Sequence, residues 1–148
     1  MYQKILIATD GSELADVAVE HGVRLAESVG AKVVFLTVTE LWSALRMSNE
    51  IEQGKLDAVK AYEDAESSTA EAILEGAAAK AAAIGVPSES LHVRDRRPAE
   101  GILDTAELEE CDLIVMASHG RRGLGKMLLG SQTAEVLALS TRPVLVLR

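Results

Sequence analysis

Apolar residues along this chain alternate between two rhythms. Short unbroken apolar runs read as buried strands: KILIAT at 4–9, KVVFLTV at 32–38, DLIVMAS at 112–118 and PVLVL at 143–147. SLHVRD at 90–95 is a weaker run of the same kind. Between them the spacing turns helical. From Ser12, a stripe of Ala15, Ala18, Gly22, Leu25, Ala26 and Val29 predicts a helix closed by Gly30. The Ala-, Glu- and Lys-rich stretch 55–85 predicts one long helix ending at Gly85. Pro98 suits the first turn of a helix running to about Glu110, and Ser131 is the expected cap of a last helix through Ser140. Residues 39–54 have no clean period and are expected to be a loose excursion.

Five strands separated by helical crossovers predict an α/β fold in one domain, 1–148: an open parallel sheet with helices on both faces. Such sheets bind ligands beyond the carboxyl ends of the strands, where the strand order reverses. The loops expected there are TDGS (9–12) and ASHGRRGLGKMLLGSQT (117–133), which carry the unusual residues of the chain.

Charge narrows the ligand. The net charge of −8 disfavours nucleic acid and anionic membranes as partners. Yet residues 117–148 hold Arg121, Arg122, Lys126, Arg142 and Arg148 against Glu135 alone, giving this segment +4 and leaving −12 for residues 1–116. A local basic patch on an acidic chain suits a small anion, although solvated loop charge reads the same way. Aromatics at 3% offer no stacking platform for single strands. No apolar run reaches membrane-helix length, and the start, MYQKILIATDGS, goes directly into a strand pattern. With one cysteine, Cys111, no internal disulfide can form, so the cytoplasm is the expected location.

The glycine-rich stretch decides the chemistry. GRRGLGK (120–126) fits the first seven places of a P-loop, but Met127 stands where a hydroxyl should hold Mg²⁺. The dinucleotide fingerprint also fails, since Gly123 and Gly125 are followed by Leu128 in place of a third glycine. A third match spans the chain. ILIATDGS, ASHGRRGLGKMLLGSQT and the closing RPVLVLR resemble a universal stress protein of the nucleotide-binding kind, whose motif is G-2x-G-9x-G-[ST]. Gly120, Gly130 and Ser131 supply the second and third elements, and Ala117 replaces the first glycine. A methyl at 117 is expected to crowd the nucleotide sugar, and any positive φ there would strain the chain by about 1 kcal/mol.

The resemblance implies a Rossmann-like sheet of order 3-2-1-4-5, of the adenine nucleotide alpha hydrolase-like type, and an adenine nucleotide (ATP, ADP or AMP) as ligand. It implies Ala8 and Thr9 beside adenine and ribose, Asp10 at the ribose or phosphates, and Val38 at the adenine edge. Ala117 would lie against the sugar, with Gly120, Gly130, Ser131, Gln132 and Thr133 on the phosphates. Mg²⁺ would enter only through those phosphates. Independently, Ser131, Gln132 and Thr133 open a helix whose free N–H groups attract anions. Asp10 and Thr133 also read as capping residues, with no ligand role.

No triad or metal-ligand spacing accompanies His119, and Cys111, Met116 and Met127 read as packing residues. RDRRP (94–98) reads as solvated charge or as a reach toward phosphate. The expected function is a nucleotide-dependent regulator or sensor in the stress response. A slow ATPase and a nucleotide-free dimeric interaction protein are the alternatives, with Asp10 the only acid expected near the loop. Val144 to Leu147 on an edge strand predict a homodimer through strand 143–147.

Overall fold

The computed structural model describes residues 1–40, 54, 56–120 and 129–148, with the side chains of 56–58 left aside. Most of the 39–54 excursion, and the expected basic patch at Arg121, Arg122 and Lys126, lie outside the described residues.

The elements run β1 (Lys4–Ala8), α1 (Glu13–Val29), β2 (Lys32–Val38), α2 (Leu56–Ala83), β3 (Ser88–Val93), α3 (Pro98–Leu108), β4 (Leu113–Ala117), α4 (Ser131–Leu139) and β5 (Val144–Leu147). All strand pairs are parallel, in the order β3-β2-β1-β4-β5. This is the expected topology, and it puts the reversal of strand order between β1 and β4.

Strand periodicity splits the core in two. Ile5, Ile7, Val33, Phe35, Leu113 and Val115 point to the side covered by α1 and α2. Leu6, Val34, Leu36, Ile114 and Met116 point to the side of α3 and α4. Because both faces are covered, the strands read as continuous apolar runs. Each fully buried Ile, Leu, Val or Phe contributes roughly 1.5–3 kcal/mol of transfer free energy.

Local chemistry sets the helix ends. Ser12 caps α1, its hydroxyl accepting from the Ala15 N–H at 3.2 Å. Gly30 ends α1 at φ 71°, a conformation in which a Cβ is strained. The predicted stripe on α1 is buried at Ala15, Ala18, Gly22 and Ala26; Val19 and Val23 complete it, while Leu25 is half-buried and Val29 exposed.

Three boundaries depart from expectation. β3 begins two residues earlier, because polar Ser88 and Glu89 pair with Val33 and Val34 on an edge strand whose outer side stays wet. It ends before Asp95, which turns to φ 58°. The cap of α4 is Gly130, at φ −70° and ψ 155°, and Ser131 is already the first helical residue.

Candidate functional site

The β1 loop folds on itself before α1 starts. Thr9 Oγ1 accepts from Gly11 N–H at 3.2 Å, and Asp10 Oδ1 accepts from Ser12 N–H at 3.0 Å. Asp10 is therefore the residue that positions the cap, and Ser12 is the cap itself. Thr9 is tied to β2 on both sides: its N–H donates to Leu36 O, and its carbonyl accepts from Thr37 Oγ1, each at 2.9 Å.

The β4 loop is pinned at its base. Ser118 N–H donates to Leu147 O at 2.7 Å, and Gly130 N–H donates to Ser118 O at 2.6 Å. A Cβ on Gly130 would sit 3.2 Å from His119 Cα and from Ser118 O. Gly130 is thus required for close backbone approach, since its φ is negative. A Cβ on Gly120 would lie 2.6 Å from Asp10 Oδ2, so this glycine makes room for the carboxylate. Ala117 is an ordinary, buried β4 residue with no positive φ, which removes the backbone-strain expectation at that position.

These two loops meet α4. Thr133 is 2% exposed, and its hydroxyl donates to Ala117 O at 3.0 Å, tying the helix to β4. Gln132 Oε1 accepts from Ala99 N–H at 2.9 Å, capping the first turn of α3 where Arg97 provides no side-chain cap. Arg97 lies 2.8 Å from Glu135 on α4 and 3.0 Å from Glu100. Arg96 pairs with Asp104 at 2.7 Å. Of the two readings of RDRRP, these ion pairs fit the solvated one.

Two connected spaces open between these elements. A narrow, mostly apolar slot of about 140 Å³ is lined by Ala8, Thr9, Asp10, Val38 and Ala117, with Gly120, Gln132 and Thr133 at its mouth. Ala15, Leu36, Pro98, Ile102, Met116 and His119 complete its walls. Beside it lies a polar cleft of about 450 Å³, reached by Asp10, Val38, Gly120, Gly130, Ser131, Gln132 and Thr133. All ten residues singled out in the sequence therefore border one opening.

Sequence reading missed the opposite wall of the cleft. Tyr62, Glu66, Thr69 and Ile73 of α2 line it, with Thr37, Thr39 and Glu40 at the end of β2. Their helical spacing was the available signal, because 62, 66, 69 and 73 fall on one face. Glu40 and Glu66 also correct the expectation that Asp10 is the only acid nearby. Behind this wall, Thr39 Oγ1 lies 3.0 Å from His92 Nε2. Burial, followed by the Arg94 charge, holds His92 below its ordinary pKa.

Val38 is set from behind. Gly101 of α3 faces it so closely that a Cβ there would lie 2.7 Å from Val38 Cγ2 and 2.9 Å from Cγ1.

The arrangement offers two kinds of recognition. Apolar cavities of roughly 150 Å³ accommodate a single aromatic ring. The first turn of α4 presents the N–H groups of Ser131, Gln132 and Thr133, which have no partner within an α-helix, to the same opening. His119 Nδ1 lies 3.2 Å from Ser118 Oγ. No group of three or more His, Cys, Asp or Glu among the described residues could hold a metal ion. No helix among them is long and apolar enough to cross a membrane.

The chain matches the universal stress protein family over residues 1–148. It is 34% identical to universal stress protein YxiE of Bacillus subtilis, each chain covered in full. It is 33% identical to universal stress protein MJ0577 of Methanocaldococcus jannaschii, over 100% of this chain and 96% of that one. The solved MJ0577 structure superposes with a TM-score of 0.77 at 32% identity, covering 99% and 96% of the two chains. A universal stress protein solved in complex with cAMP gives a TM-score of 0.70 at 25% identity, covering 98% and 95%. This chain belongs to the universal stress protein family.

Proposed function

We propose that the protein binds an adenine nucleotide at this opening and acts as a nucleotide-dependent regulator in the stress response. The observation that carries the reading is the junction of an apolar, ring-sized slot with the N–H-rich start of α4, at the point where the strand order reverses. The base occupies the slot against Val38 and Ala8, the ribose meets Asp10 and Ala117, and the phosphates meet Gly120, Gly130 and residues 131–133. The relative solved with cAMP supports the ligand class. Any Mg²⁺ arrives with the phosphates, and hydrolysis, where it occurs, is slow.

The regulatory output runs through self-association. β5 is an edge strand, paired on one side only, and its four residues are half-buried. A second copy of β5 across a two-fold axis closes that edge.

The test is calorimetric titration of adenosine, AMP and ATP, with light scattering on the same preparation. Ser131→Pro is the informative variant: proline is welcome at the first helical position but removes one N–H. It is expected to weaken ATP several-fold while leaving adenosine and the melting temperature unchanged. A wild type that binds none of the three ligands would sink the nucleotide reading, and a strict monomer would sink the dimer.

A further inference from the structure

Val38 is a wall of the slot, and its position depends on a residue outside the opening. Gly101 is buried in the first turn and a half of α3, and its missing Cβ is what lets the helix lie against both Val38 methyls. An alanine there has to be accommodated by α3 or by Val38. α3 has little freedom to withdraw. Its first turn is held to α4 by Gln132 on the Ala99 N–H and by Arg97 on Glu135, and Ala99 and Ile102 are buried against the sheet. Val38 is the softer partner. With both methyls and Cβ within 3.4 Å of the added atom, relief by rotation or displacement turns a methyl toward the slot.

We infer that Gly101 is a positioning residue for the base: it sets the width of the slot through Val38, and so how well the base fits. The inference rests on the nucleotide reading of the opening and adds to it that this control acts on the base, independently of the phosphate count. The slot as built is about 140 Å³, and a methyl turned in from the Val38 side narrows it.

Calorimetric titration of adenosine, AMP and ATP into wild type, Gly101→Ala, Gly101→Ala/Val38→Ala and Val38→Leu tests this, with a thermal melt of each. Gly101→Ala is expected to weaken all three ligands by a common factor of about tenfold or more. Removing the Val38 methyls in the same chain is expected to bring affinity back to within about threefold of wild type, the coupling that contacting residues show. Val38→Leu, which leaves α3 untouched, is expected to reproduce the common-factor loss and stands in for Gly101→Ala should that variant unfold. Wild-type affinity in Gly101→Ala, a loss confined to ATP, or no recovery in a folded double variant would each overturn the inference. If wild type itself binds none of the ligands, the nucleotide reading falls, and this inference falls with it.

Discussion

The two faces of the sheet solve the same packing problem differently. Under α1 and α2 the core closes by shape, with Lys80 of α2 joining Asp16 and Glu20 of α1 only at its surface. Gly22 brings α1 so near β1 that a Cβ would lie 2.5 Å from Ile7 Cδ1 and 3.4 Å from Val115 Cγ1, and Ile7 and Val115 are both fully buried. Under α3 and α4 the helices part at the carboxyl end of the strands and leave the slot. Directional bonds replace lost packing there: Thr133 to Ala117, Gln132 to Ala99, and Arg97 to Glu135. A helical glycine appears on both faces, but Gly22 is pressed against core and Gly101 against a wall of the opening. The contrast teaches that the local chemistry of a glycine does not state its purpose; what lies behind its neighbour does.

The largest effect is expected where one bond stands in for packing. Thr133→Val keeps the shape but removes the hydroxyl that donates to Ala117 O. The expected loss is about 1–2 kcal/mol in urea denaturation, the range for a buried hydrogen bond whose acceptor is left behind. Unchanged stability would mean that this face is held by packing after all.

Gly22→Ala probes the other face. Overpacking costs about 1–3 kcal/mol, offset by about 1 kcal/mol of helix propensity gained. The expected net loss of about 1 kcal/mol lowers the melting temperature by roughly 2–4 °C at this chain length. Nucleotide affinity stays at the wild-type value. A variant of Gly22 that binds poorly while melting normally would erase the distinction between the faces.

The smallest effect is a pH dependence confined to the α3 and α4 face. Burial raises the Cys111 thiol from its ordinary 9.0 to about 11. The folded state therefore keeps a proton that the unfolded chain releases first. This contribution to stability is complete below about pH 9 and is lost as pH climbs through about 11. Urea midpoints of wild type and Cys111→Ala are expected to converge in slope below pH 9, with only the wild type steepening above it. Parallel curves throughout would show that the thiol is not shielded in the folded state.

Much of this was legible in the residues. Strand runs and helical stripes are local patterns, and they led to the observed elements and to loops at the ends of β1 and β4; the strand order came from the family resemblance. The ten marked positions, from Ala8 to Thr133, do converge on one opening, because each sits at a strand end or on the first turn of α4. The side-chain destinations were not legible. Gln132 was expected on the phosphates chiefly through its backbone N–H; its side chain goes to Ala99, a partner 33 residues away that no local pattern specifies. Gly101 reads as an ordinary helical glycine until Val38 is seen beside it. Glu66 enters the cleft through the path of α2, and Glu40 from the end of β2. Ser131 reads as a cap, since serine is a good one, but the backbone assigns that place to Gly130. Even the reason for a glycine shifted, from the left-handed backbone considered at 117 to close approach at 120 and 130.

The hydrogen bond from Gly130 to Ser118 has a consequence for how such a protein diversifies. Ser118 and Gly130 are fastened to each other, and Ser118 is tied in turn to Leu147 of β5. Closing a loop whose ends are already held costs an amount that grows only slowly with its length. Changes of sequence or length between these two ends are expected to leave the sheet and α4 in their places. The fold and the chemistry carried between these ends can then be inherited separately, and grafting a relative's segment between Ser118 and Gly130 is the natural way to use that separation.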